Sequence, residues 1–148
     1  MKILVTGAKG FVGKNLISEL HNKGYNEIFE YDVETEKTLL ETYTKQCQFV
    51  FHFAGVNRPK DEKEFMEGNF GFTSELLEQL KKHGNKSPVL ITSSIQAEKE
   101  NPYGLSKKAG EELLFKYGRE TNATVYVYRL ANLFGKWSRP NYNTVVAT

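Results

Sequence analysis

Apolar residues along this chain fall into short continuous runs, separated by stretches in which they recur at helical spacing. The first run, Ile3-Leu4-Val5, is brief and partly β-branched, as expected of one buried strand. Three glycines follow in Thr6-Gly7-Ala8-Lys9-Gly10-Phe11-Val12-Gly13, and Phe11, Val12, Leu16, Ile17 and Leu20 then repeat with an amphipathic helical period. Lys23-Gly24 supplies a stop, and residues 27–32 read as a second strand. Residues 35–44 are predicted as a short helix with Leu39, Leu40 and Tyr43 on one side, and 49–53 as a third, nearly continuous apolar strand. That strand ends at Ala54-Gly55, before a loop with Asn57, Arg58 and Pro59. The longest helical pattern covers 62–83, with Phe65, Phe72, Leu76, Leu77 and Leu80 in phase and Gly68 and Gly71 placed to bend it. A fourth strand at 89–92, a helix from Pro102 to about Thr121 and a fifth strand at 124–128 complete the pattern.

Strands that are apolar throughout and alternate with helices imply an α/β fold. The expected architecture is a doubly wound parallel sheet with helices on both faces. With 148 residues, 39% of them hydrophobic, the chain suits a single domain with a sizeable core. Thr144-Val145-Val146-Ala147-Thr148 begins a further apolar element without a cap, so the chain is expected to be the N-terminal part of a longer protein. Basic residues number 20 against 18 acidic ones, which gives no reason to expect a nucleic acid or a membrane surface as partner. The single Cys47 cannot form an internal disulfide and reads as a packed thiol in a reducing compartment. The N-terminus runs straight into a strand and no apolar run reaches membrane-spanning length, so a cytoplasmic location is expected. Neither a metal-ligand cluster nor a serine nucleophile elbow is written in the sequence, and His52 reads as a strand-end residue with a hydrogen-bonded ring.

Candidate chemistry starts at the glycine turn, because strand, glycine turn and helix form the context of a phosphate-binding fingerprint. Gly7 would allow the tight turn, Gly10 the approach of backbone N–H groups to a pyrophosphate, and Gly13 close packing of helix on strand. The helix start at Phe11 and Val12 would hold the phosphates with its free N–H groups and positive dipole end. Asp32, 19 residues beyond Gly13, can accept hydrogen bonds from a ribose and points to NAD(H). Lys9 pulls toward NADP(H), because its ammonium could pair with a 2′-phosphate. Either residue also has a plain reading, Asp32 as a turn residue and Lys9 as a solvated side chain. Tyr103 and Lys107 stand four apart and share a helix face. A phenol titrates near about 10 in water, and a neighbouring ammonium favours its anion, which would let Tyr103 exchange a proton with a reacting oxygen. Ser94, at the C-terminal end of the fourth strand, could hold the reacting carbonyl.

Taken together, Thr6-Gly7-x-x-Gly10-x-x-Gly13, His52-x-Ala54-Gly55, Asn69, Ser94, Tyr103-x-x-x-Lys107 and Arg129-Leu130-Ala131-Asn132-Leu133-Phe134-Gly135 resemble the extended short-chain dehydrogenase/reductases that act on nucleotide sugars. Gly55-Val56-Asn57-Arg58-Pro59, Ser94-Ile95-Gln96-Ala97, Asn101-Pro102-Tyr103-Gly104 and the stretch 135–143 are similar, more narrowly, to bacterial capsular-polysaccharide reductases that join an N-terminal reductase to a C-terminal cupin domain. The resemblance implies a Rossmann-type domain over 1–148, with the substrate region and cupin beyond it. It implies Tyr103 as general acid, Lys107 as ribose ligand and tuner of Tyr103, and Ser94 as carbonyl and substrate ligand. Ala54 and Gly55 would join Gly7, Lys9, Gly10, Phe11, Val12, Gly13, Asp32, Tyr103 and Lys107 at the cofactor, and Asn132 would sit near the nucleotide sugar. The implied reaction is NADPH-dependent reduction of a UDP-linked 4-keto-6-deoxy-N-acetylhexosamine on the route to UDP-N-acetyl-L-fucosamine, in a homodimer, with NAD(H) as the other possible cofactor. Two features depart from that pattern: Ser94 and Tyr103 are only nine positions apart, and Asp32 is unusual where NADPH is used. An NAD-dependent 4-epimerase or dehydratase is the first alternative, and a dinucleotide-binding domain without catalysis the second.

Overall fold

Among the described residues, five strands form one parallel sheet in the order β2-β1-β3-β4-β5. They are β1 Ile3–Thr6, β2 Ile28–Tyr31, β3 Phe49–His52, β4 Val89–Ser94 and β5 Val125–Leu130. Four α-helices connect them among the described residues: α1 Phe11–Asn22, α2 Lys37–Gln46, α3 Phe72–Lys82 and α4 Pro102–Thr121. The structure, a computed structural model, describes residues 1–55 and 66–130. The loop with Asn57, Arg58 and Pro59, the expected helix start at 62–65, Asn132 with the rest of its motif, the 135–143 stretch and the closing apolar element at 144–148 lie outside the described residues.

Side chains alternate across a strand, so each strand feeds two cores. Leu4, Val50, Val89 and Ile91 pack with Leu40 of α2, Leu76 and Leu80 of α3 and Leu114 of α4. Ile3 and Val5 face the other way, onto Ile17 and Leu20 of α1, with Phe49, Phe51 and Phe53 alongside. The chain leaves β1 toward one edge of the sheet and returns to build β3, β4 and β5 toward the other. Right-handed crossovers then put α1 on one face and the remaining helices on the opposite one. The sheet is therefore doubly wound, and its direction of winding reverses between β1 and β3. A crevice opens at such a reversal, beyond the C-terminal ends of the strands.

Three local departures from the sequence pattern bear on the site. The predicted bend at Gly68 and Gly71 is a π-helical turn, Glu67–Gly71, leading into α3. This wider turn carries Asn69, which is buried. Strand β4 runs two residues further than its apolar pattern, because Ser93 and Ser94 pair in register with Arg129 and Leu130. Among the described residues, strands β2 and β5 are the sheet edges rather than fully apolar strands, and they expose Glu30, Tyr126 and Tyr128. Helix α4 follows its prediction from Pro102 to Thr121. Asn101 caps it by accepting a 2.7 Å hydrogen bond from the Gly104 amide, a contact worth about 1 kcal/mol. Cys47 is buried, and loss of water pushes its thiol up to about 11, so it is the packed residue the sequence predicted. Among the described residues no helix is long and apolar enough to cross a membrane.

Candidate active site

The glycine turn leaves β1 at the point where the sheet reverses. Gly7 has φ +69°, and a Cβ there would stand 2.7 Å from the Ala54 amide nitrogen at the end of β3. A Cβ on Gly13 would stand 2.2 Å from the Gly7 carbonyl oxygen. Both positions therefore require glycine, the first for its conformation and the second for the seating of α1. Gly10 differs. Its extended backbone (φ −76°, ψ 173°) suits any residue, and its nearest obstacle is 3.3 Å away. That contact, with the Gly7 carbonyl oxygen, is tight but far milder than those at Gly7 and Gly13, so close approach by a ligand adds a second reason for glycine here. The first α1 amides, at Phe11, Val12 and Gly13, precede the first intrahelical bond, Lys14 N–H to Gly10 C=O at 2.9 Å. No side chain caps them, and no acidic residue occupies the first turn of α1. Open amides, a positive dipole end and a bare Cα fit a pyrophosphate.

Asp32 closes the crevice on the β2 side. One carboxylate oxygen accepts the Lys9 amide at 2.8 Å and the other accepts the Val33 amide at 2.8 Å. Its turn role is therefore real, and it ties the glycine turn to the end of β2 while each oxygen keeps further accepting capacity. The Lys9 ammonium pairs with Glu34, which raises its pKa, with Asp32 and Glu30 adding to the effect. This exposed pair can open at little cost.

Ser94, Tyr103 and Lys107 converge on the same edge of the sheet. Ser94 ends β4, while Tyr103 and Lys107 lie on the first two turns of α4, which packs over β4. The Ser94 and Tyr103 side chains are hydrogen-bonded. Lys107 Nζ lies 5.6 Å from the centre of the Tyr103 ring. A Cβ on Gly55 would stand 3.1 Å from Lys107 Nζ, and Gly7 abuts Ala54, so the glycine turn, Ala54-Gly55 and Lys107 form one continuous surface.

The electrostatics differ from the sequence expectation at one point. Burial pushes the Tyr103 phenol above its ordinary value, and the Ser94 hydrogen bond only partly offsets this. The Lys107 ammonium was expected to favour the phenolate. It faces the ring instead, and loss of water pulls its own pKa down to about 8. Glu111, one turn further along α4, holds the ammonium up against that burial. Glu111 is itself buried and accepts a bidentate pair from Arg129 on β5, with Nε at 2.7 Å and Nη2 at 2.8 Å. Arg129 also reaches Glu98 at 3.1 Å. The sequence reading passed over Glu111, although its place four residues after Lys107 was the available signal. His52 is buried with both ring nitrogens hydrogen-bonded, as read from the sequence.

The fold and the site define a class before any closer relative is considered: over residues 3–148 the chain belongs to the NAD dependent epimerase/dehydratase family. Across all 148 residues it is 49% identical to a UDP-2-acetamido-2,6-beta-L-arabino-hexul-4-ose reductase from Pseudomonas aeruginosa, of whose length it spans 40%. A crystal structure of the capsular polysaccharide assembling protein CapF from Staphylococcus aureus matches with a TM-score of 0.86 at 48% identity, over 99% of this chain and 40% of that one. A UDP-glucuronic acid 4-epimerase from Bacillus cereus, solved with NAD, shares the fold at a TM-score of 0.84 and 22% identity, over 96% of this chain and 59% of that one.

Proposed function

We propose that the chain is the dinucleotide-binding and catalytic part of an NADPH-dependent reductase acting on a UDP-linked 4-keto-6-deoxy-N-acetylhexosamine. The observation that carries this reading is the convergence of Ser94, Tyr103 and Lys107 on the sheet edge that also carries the glycine turn. Reduction of a ketone needs an acid beside the carbonyl oxygen, and a phenol raised above its ordinary pKa is protonated at neutral pH. Near-half identity to a UDP-sugar reductase supports the same direction of reaction.

The residues divide the work. The Phe11, Val12 and Gly13 amides and the bare Gly10 Cα hold the pyrophosphate, and Asp32 and Lys9 face the adenosine ribose. Ala54 and Gly55, which lie against the glycine turn and Lys107, would line the cofactor site, and Lys107 would hold the nicotinamide ribose. When bound, the reduced nicotinamide supplies hydride to the C4 carbonyl carbon. Ser94 hydrogen-bonds the carbonyl oxygen and Tyr103 gives it a proton. The Lys107 ammonium then stabilises the phenolate left on Tyr103. Asn132, outside the described residues, would sit near the nucleotide sugar, as the family resemblance implies. The remaining substrate region and a cupin domain lie beyond residue 148, in a cytoplasmic homodimer that needs neither nucleic acid nor membrane.

A second reading, an NAD-dependent 4-epimerase or dehydratase, is favoured by the carboxylates of Asp32 and Glu34, which would repel a 2′-phosphate. Full-length protein given the 4-keto sugar with NADPH and NADH separately decides between them. A reductase oxidises one cofactor per sugar and prefers NADPH, whereas an epimerase shows no net oxidation.

A further inference from the structure

A buried run of polar side chains connects the glycine turn to the helix that carries the chemistry. The Ala54 amide donates to Thr6 Oγ1 at 3.2 Å, and Thr6 Oγ1 lies 2.6 Å from His52 Nδ1. On the far side of the ring, Nε2 lies 2.8 Å from Thr73 Oγ1, whose hydroxyl donates to the Asn69 carbonyl at 2.7 Å. The Asn69 side-chain amide donates to Ser106 Oγ at 3.0 Å, and the Ser106 hydroxyl donates to the Tyr103 carbonyl at 2.8 Å. Thr6, His52, Asn69, Thr73 and Ser106 are all buried.

The proton positions follow from counting. A threonine hydroxyl has one proton, and that of Thr73 goes to the Asn69 carbonyl, so Thr73 can only accept from His52. Nε2 therefore carries the ring proton. A neutral ring then accepts at Nδ1, where the Thr6 hydroxyl donates while its lone pair takes the Ala54 amide. Burial and the nearby Lys107 charge hold the ring neutral, with its pKa lowered to about 3. Every bond in the run points one way, from the Ala54 amide to the Asn69 carbonyl.

We propose that His52, as its Nε2–H tautomer, is a positioning residue that keeps the glycine turn and Ala54-Gly55 in register with the helix bearing Tyr103 and Lys107. The inference rests on the dinucleotide-binding site proposed above and extends it. Apolar contacts between β3 and α3 would tolerate sliding, whereas this run fixes direction as well as distance. Moving the ring proton to Nδ1 would set its N–H against the Thr6 O–H and leave a bare Nε2 facing the Thr73 lone pairs, so the buried run would lose both bonds to the ring. Thr6 immediately precedes Gly7, and Gly55 abuts both the Asn69 side chain and Lys107 Nζ, so His52 spans the two places a dinucleotide must touch together.

The test compares NADPH with ADP, which reaches only the glycine-turn half. In full-length protein carrying Thr73→Val, which keeps the side chain's shape but removes the Nε2–H acceptor, calorimetric titration is expected to show NADPH affinity lowered roughly tenfold and ADP affinity unchanged. Histidine-selective 15N NMR of the unmutated protein is expected to show a protonated Nε2 and a bare Nδ1 on His52. Equal weakening of both ligands, or unchanged NADPH affinity, overturns the proposal. So does a ring protonated at Nδ1, a result that stands even if the variant fails to fold. Neither readout needs a sugar, so failure of the reductase reading registers separately, in turnover.

Discussion

Lys107 carries a consequence that its spacing from Tyr103 does not announce. Burial brings its pKa down to about 8, with Glu111 opposing the drop, so the ammonium is lost as pH rises through that value. The ammonium is present below that pKa, where in the proposed mechanism it stabilises the phenolate left when Tyr103 gives up its proton. Above it the amine is neutral and the stabilisation is gone. Steady-state kcat/KM for sugar reduction is therefore expected to be level below about pH 7 and to fall as pH rises through about 8. A profile that climbs through that range contradicts the role given to Lys107. At this scale the sequence was most legible where partners are close in the chain. Tyr103 and Lys107 lie one helical turn apart, and Ser94 could be placed by its position after an apolar run. Thr73 and Ser106 were not legible, because their partners are distant in sequence and an isolated hydroxyl has no pattern. The direction of the Tyr103 shift was illegible too: spacing gives a neighbour but not how much water burial removes.

Among the elements, the glycine turn and α1 behave as one unit, and its glycines should separate in experiment. Gly13→Ala would drive a Cβ into the Gly7 carbonyl and lift α1 from the sheet. It is expected to lower stability by about 1–3 kcal/mol and to weaken NADPH binding as well. Gly10→Ala would bring a Cβ to a tight 3.3 Å from the Gly7 carbonyl oxygen, a strain that the smaller conformational entropy of an unfolded chain with alanine partly offsets. Its expected signature is a clearly smaller stability loss than that of Gly13→Ala, with clearly weaker NADPH binding. Thermal melts and calorimetric titration of the two variants check both statements, and equal stability losses would remove the ligand-approach explanation for Gly10. The strand–turn–helix pattern made this element readable in full. The π-helical turn was only half readable: Gly68 and Gly71 marked a disturbance, but the inward turn of Asn69 depends on Gly55 and Ser106, which it meets across the fold. Strand β4 was cut short for a related reason, since Ser93 and Ser94 have little strand propensity and are held by their pairing with β5.

For the whole molecule, alternation of apolar runs and helical stretches was enough to give a doubly wound sheet. The order β2-β1-β3-β4-β5 adds what the pattern lacks, the reversal between β1 and β3 where the glycine turn and Ala54-Gly55 meet. It also puts the end of β4 on the same edge, so that Ser94 and the start of α4 reach the same crevice. Had those groups emerged at opposite edges, phosphate anchoring and proton transfer could not serve one ligand. The chain spans 40% of the Pseudomonas aeruginosa reductase and of the Staphylococcus aureus CapF structure, so turnover has to be measured on full-length protein. The most direct measurement of the central claim is single-turnover reduction of the UDP-linked 4-keto sugar by full-length Tyr103→Phe protein with NADPH. Loss of the phenol proton predicts a rate roughly 100-fold or more below that of the unmutated enzyme, with NADPH affinity retained. A variant that reduces the sugar at the unmutated rate would contradict the assignment of Tyr103 as the acid.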